Sequence, residues 1–221
     1  MKKLSIVLLV LFGLTSYAQL DRDQVSLDIS KAEAANLEQL KSFIWKQESV
    51  VTVDGAQKLT TINEFSIDQD GKVSVTNIDS DTDVKQKRGI RGKVQTNTAE
   101  NNLDYVQHAL DLAIKYSFMT KGQLLDFFGK ADISEKDGII NASGSDIFMT
   151  GDKLSVQVES ATKLFVKKEF STLIGDDPIS GEINYDKFTS GISHATSSRL
   201  NLPGKKAVIS SKNKDYVIKV Q

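Results

Sequence analysis

The segment from Lys85 to Lys130 is the one long stretch without strand character in a chain otherwise filled by about ten short strand patterns. It opens on a basic, glycine-punctuated turn: Lys85, Lys87, Arg88, Gly89, Arg91, Gly92 and Lys93. A helix is predicted over about Ala99–Met119, because Leu103, Val106, Leu110, Ala113, Ile114 and Ser117 recur at steps of three and four. A second row, Tyr105, Ala109, Leu112 and Tyr116, widens that stripe and leaves only Asp104, Gln107, Asp111 and Lys115 as a wet edge. A helix this broadly apolar needs a broad apolar surface to lie on, such as the inside of a curved sheet. Thr120 and Gln123 form a capping box that starts a second helix, Lys121–Gly129, carrying Leu124, Leu125, Phe127 and Phe128.

Before the insert, Ser30 and Glu33 read as a capping box opening a short helix over Lys31–Lys41, with Ala34, Leu37 and Leu40 inward. The period then becomes two. Trp45, Val51 and Val53 share one strand face, and Asp54-Gly55 turns the chain. Leu59, Phe65 and Ile67 alternate along the next strand, and Asp70-Gly71 turns into Val73 and Val75. Asp79, Asp81 and Asp83 read as an acidic loop that meets the basic turn.

Beyond the insert, about seven further strands follow at close spacing. They are marked by Ile139–Ser143, by Leu154, Val156 and Val158, by Leu164, Val166 and Phe170, by Ile179, Ile183 and Tyr185, by Ile192, His194, Leu200 and Leu202, by Ala207–Ser210, and by Tyr216 and Ile218. Asp176-Asp177-Pro178, Pro203-Gly204 and Asn213-Lys214-Asp215 read as turns between them. Alternation this regular means one wet face and one covered face. The expected fold class is α+β: a large curled antiparallel sheet, a half-barrel, with a helical insert covering its concave face.

The N-terminus carries the pattern of a secretory signal peptide over residues 1–18. Lys2 and Lys3 precede an apolar run, Leu4–Leu14, that is too short to span a bilayer, and Ser16-Tyr17-Ala18 supplies small residues for cleavage before Gln19. Residues 19–221 are then expected to form a single domain, large enough for a real core, in the periplasm or outside the cell. The chain has no cysteine, so lipid attachment at a lipobox, disulfides and thiolate metal sites are excluded. A formal net charge of −1 shows none of the basic excess of a nucleic-acid binder.

Catalytic patterns are equally sparse. The two histidines, His108 and His194, stand alone in their segments, and no His-x-x-x-His pair or nucleophile elbow occurs. The Asp79–Asp83 run lacks the glutamate that a calcium loop needs at its twelfth position, where Ile90 stands. No cofactor, metal or catalytic residue is expected. The basic residues Lys85, Lys87, Arg88, Arg91 and Lys93 are the candidate contact for anionic head groups, a membrane surface or an acidic envelope partner. The aromatic and aliphatic residues suggest an apolar cavity between sheet and helices, with Trp45, Phe65, Leu110, Ile114, Phe118, Phe127, Phe128, Phe165 and Phe170 as its candidate lining.

The layout resembles the periplasmic lipoprotein-carrier superfamily, the LolA/LolB-like half-barrels. The matching parts are the signal peptide, an N-terminal helix, a strand meander, a helical insert and a returning run of antiparallel strands. Short segments are similar as well: Gly151-Asp152-Lys153, Thr162-Lys163-Leu164, Pro178-Ile179-Ser180-Gly181-Glu182-Ile183, and Lys205-Lys206-Ala207-Val208 running to Asp215-Tyr216. The resemblance implies an incomplete barrel that holds lipid or a lipoprotein's acyl chains under a helical lid, without catalysis. Two other readings stay open: an interaction or sensor module of the same fold without a ligand, and a hydrolase whose site the sequence does not reveal.

Overall fold

The computed structural model describes residues 21–82 and 90–219, the stretch 90–103 by its backbone alone. The segment 1–18, and Lys85, Lys87 and Arg88 of the basic turn, lie outside the described residues. Ten strands form one sheet: β1 (Phe43–Val53), β2 (Ala56–Ile67), β3 (Val73–Thr82), β4 (Asp132–Lys136), β5 (Ile139–Ser145), β6 (Lys153–Glu159), β7 (Phe165–Ile174), β8 (Asp177–Lys187), β9 (Ser193–Leu202) and β10 (Ala207–Ile218). Every pairing is antiparallel, in the order β3-β2-β1-β10-β9-β8-β7-β6-β5-β4. β3 and β4 do not pair, so the sheet curls without closing, and the helices lie on its concave side. The expected half-barrel is thus the observed one.

The helices are α1 (Arg22–Leu40), α2 (Ile90–Ser117) and α3 (Lys121–Lys130). The capping box of α3 forms as read: Gln123 N–H donates to Thr120 Oγ1 (3.3 Å) and Thr120 N–H to Gln123 Oε1 (2.8 Å). Three expectations are corrected. First, α1 starts a full two turns earlier than Ser30, capped by Asp21, whose carboxylate accepts from the backbone of Asp23 and Gln24. Ser30 lies buried in mid-helix, and Glu33 is spent on the sheet instead, accepting from the Phe165 N–H at 2.8 Å. Second, α2 begins at Ile90, so the backbone of Arg91 and Lys93 is helical and not part of a turn. Third, Asp79 and Asp81 belong to β3, paired with Ile62 and Thr60, and not to a loop.

The expected turn forms at Asp54-Gly55, where both residues take positive φ (51° and 77°), as a two-residue hairpin requires. At Asn213-Lys214-Asp215 the expected turn does not form. These residues continue β10, and the positive φ of Asp215 (55°) marks a bulge opposite the irregularity between Ile44 and Lys46 of β1. The turn before β8 is made by Gly175 and Asp176, so Asp177 and Pro178 already stand in the strand.

The core divides in two. The larger part packs α3 and one row of α2 against β5–β10, and includes Leu112, Tyr116, Leu124, Phe127, Phe128, Phe165, Phe170, Ile183 and Leu200. Gly181 is what lets Phe170 lie flat across β8, because a Cβ there would come within 2.3 Å of the Phe170 ring. Tyr116 stacks on the opposite face of that ring (centroids 4.1 Å, 9° between planes), which sets how closely α2 approaches the sheet. The smaller part gathers Leu40, Trp45, Phe65 and Ile67 at the base of β1 and β2.

Candidate functional site

The two apolar rows of α2 meet different fates. Ala109, Leu112 and Tyr116 are buried against the main core, and the Tyr116 hydroxyl donates to Asp152 at 2.6 Å. Asp152 is itself buried and accepts from the backbone of Ile147, Phe148 and Met149, so this contact pins α2 to the loop before β6. The other row, Val106, Leu110, Ile114 and Ser117, is only half-buried. It faces β1–β3 across a partly open cavity of about 530 Å³. α2 packs on β7 and β8, and the curl of the sheet carries β1–β3 beyond the reach of one helix.

The sheet side of the cavity is built in registered rows. Val75, Phe65 and Trp45 pair across β3, β2 and β1 at its base. There Trp45 stacks between Phe65 (5.8 Å) and Tyr216 (5.4 Å), with Phe118 tilted over it at 6.4 Å. At the far end, Leu59, Val51, Ile209 and Leu200 pair across β2, β1, β10 and β9. Polar rows lie between.

Of the nine candidate lining residues, Trp45, Phe65, Leu110, Ile114 and Phe118 come together around this cavity. Phe127, Phe128, Phe165 and Phe170 do not. They are core residues, each at most 3 % exposed: Phe170 stacks on Tyr116, Phe128 on Phe165, and Phe127 meets Phe128 edge-on. Of the basic residues, Lys85, Lys87 and Arg88 are outside the described residues, and Arg91 and Lys93 are placed by backbone only.

Sequence reading missed a second polar cluster, where α1 and the C-terminus of α2 meet β7–β9. Lys168 is 2 % exposed; its ammonium donates to the carbonyls of Tyr116 (3.2 Å) and Ser117 (2.9 Å), the C-terminal carbonyls of α2, and lies 3.9 Å over the Phe165 ring. Burial pushes it down to about 8, a shift that the nearby Glu33 opposes. Burial pushes Glu33 up to about 7, against the pull of Lys168 and its bond from Phe165 N–H. Asn36 anchors α1 beside them, donating to Ser193 O (3.0 Å) and accepting from Ser193 N–H (2.7 Å). The one signal for this cluster was Lys168 itself, a charged residue in phase with Phe170 on the inward face of β7.

The histidines stay apart. His108 is exposed on α2, while His194 stacks on Phe188 (3.9 Å), and burial holds it below its ordinary value. Among the described residues, no group of three or more acidic or histidine side chains is placed to hold a metal ion.

No protein-family model matches the sequence, and no curated protein matches it. Solved structures match at low identity. One is a DUF1329 family protein from Desulfovibrio piger: 11% identity, TM-score 0.43, covering 90% of this chain and 94% of that one. Another is a domain from Vibrio parahaemolyticus described as a putative outer membrane lipoprotein-sorting protein: 12% identity, TM-score 0.44, 90% and 94% covered. A third is a LolA superfamily protein from Nitrosomonas europaea: 10% identity, TM-score 0.38, 87% and 94% covered.

Proposed function

We propose that this chain is a non-enzymatic binding protein of the bacterial envelope, holding an apolar ligand such as lipid or lipoprotein acyl chains between α2 and β1–β3. The observation that carries this reading is the half-buried row Val106, Leu110 and Ile114, turned toward Trp45, Phe65 and Leu59 with unfilled space between them. Apolar surface left facing such a volume forgoes roughly 25 cal/mol per Å² that closer packing would recover. A bound apolar ligand recovers it instead. Export is part of the proposal and rests on the residue 1–18 pattern. The basic residues around the start of α2 are proposed as the contact with anionic lipid or an acidic envelope partner.

An environment-sensitive apolar dye tests the reading. Wild-type protein purified without detergent should either bind the dye or carry lipid visible by native mass spectrometry. Leu110→Trp, which narrows the cavity, should weaken dye binding by about tenfold, with the melting temperature kept within a few degrees. A wild-type protein that binds neither dye nor lipid would sink the proposal.

A further inference from the structure

The concave face of β1–β3 and β10 is not uniformly apolar. Two adjacent polar rows cross it in register, one Asn77-Asn63-Gln47-Asn213 and the next Thr61-Ser49-Ser211-Ser198. Of these eight residues, all but Ser211 line the cavity, and the lining above and below them is apolar. Polar groups on the covered side of a sheet cost desolvation unless they are bonded.

Part of the band is bonded internally. Gln47 Nε2 donates to Asn213 Oδ1 (3.0 Å), Asn213 Nδ2 to the Ala195 carbonyl (3.0 Å), and Asn77 Nδ2 to Asn63 Oδ1 (2.9 Å); Ser49 and Ser211 share a hydroxyl bond of 2.8 Å. The amide nitrogen of Asn63 and the hydroxyls of Thr61 and Ser198 donate to no described residue. One row lower, the Trp45 indole N–H, on a residue 3 % exposed, is buried without an acceptor among the described residues. Acceptors are spare as well, because Asn77 Oδ1 accepts from no described residue and each free hydroxyl can also accept. The only charged side chain in the described lining is an anion, Asp104.

Resting on the apolar-ligand reading above, we propose that the cavity selects an uncharged amphiphile whose neutral hydrogen-bonding group, such as an amide, sits at this band, with apolar segments on the rows to either side. A neutral polar group bonds to Asn63 and Thr61 without bringing a charge inside, while the Trp45 N–H lies buried away from the cavity. A carboxylate would accept the same bonds, but it would lie desolvated with no cation in the described lining, and Asp104 would repel it. A plain hydrocarbon would leave the donors unpaired.

Trp45 is the only tryptophan and lines the cavity, so its fluorescence reports occupancy directly. The full exported chain is titrated with N-methyldecanamide, decanoate and 1-decene at about pH 8, where the acid is ionised. The amide should bind at least roughly tenfold tighter than either of the others. Asn63→Leu should weaken the amide by about tenfold and strengthen the alkene, and Thr61→Val, close in shape and safe for folding, should shift both in the same direction by less. Equal binding of the three probes, or tightest binding of decanoate, would overturn the selection while leaving an apolar site standing. Binding of none of them would overturn the apolar site as well.

Discussion

A buried ammonium must find acceptors, and Lys168 finds the last carbonyls of α2. Its partner in charge, Glu33, sits on α1, so two helices and β7 meet at one desolvated pair. The pair makes stability depend on pH in two opposed arms. Folded Glu33 keeps its proton up to about 7, against 4.5 when unfolded, so the native state binds more protons in that window and stability falls as pH rises through it. Folded Lys168 releases its proton near 8, against 10.5 unfolded, so stability recovers as pH rises from there. Tyr185, against the same pair, is held well above its ordinary value by burial, and His194 nearby is held below its own, so neither titrates between the arms. Urea midpoints should therefore pass through a minimum between about pH 7 and 8, on the order of 2 kcal/mol deep. Glu33→Gln, which keeps the acceptor for Phe165 N–H, should flatten the acid arm and move the alkaline arm to lower pH, because Lys168 loses the carboxylate that opposes its shift. An unchanged acid arm in that variant would show that Glu33 does not titrate there.

At the scale of elements, α2 is a helix with two working faces, one packed and one open, and the aromatic residues divide accordingly. Phe128→Ala removes a fully buried ring of the packed side and should cost about 3–5 kcal/mol by chemical denaturation. Phe118→Ala, at the cavity, should cost about 1–2 kcal/mol and lower dye affinity. Equal costs would mean that the two faces are packed alike. Much of this element structure was legible, because period and caps are local: the α3 capping box, the hairpin at Asp54-Gly55 and the broad stripe of α2 all follow from neighbouring residues. What was not legible depended on partners far along the chain. Glu33 looked like a capping residue until Phe165 claimed it, and Asn213-Lys214-Asp215 looked like a turn until pairing with β1 made it a bulge. The cavity lining was half legible for the same reason. Apolar character named nine residues, but which of them face a void depends on how far the sheet curls away from the helix.

For the whole molecule, that curl makes two unequal halves. β5–β9 carry α2 and α3 and most of the core, while β1–β3 are held by their own pairing, by β10 and by the smaller cluster around Trp45. Local opening should follow that division. Amide hydrogen exchange is expected to be fastest at the open edge, β3, where Val75 and Ile78 are about half exposed (45% and 50%), and slowest in β7 and β8. A bound ligand should protect β1–β3 more than β7–β8. Uniform exchange across the sheet would contradict the picture of a mobile wall beside a fixed one.

The pairing of β1 with β10, Phe43 opposite Ile218 and Val53 opposite Ala207, also fixes an order of assembly. β1, the first strand of the sheet in chain order, has the last one, β10, as its inner neighbour. Until β10 arrives, the β1–β3 meander is a short three-stranded sheet with two bare edges and half of a greasy hollow exposed, the kind of intermediate that sticks to its own copies. Closing so long a loop is slow. The strand that completes the cavity wall is therefore also the one that ends this vulnerable interval, and a helper that covers β1 until then would find there a ready edge to hold.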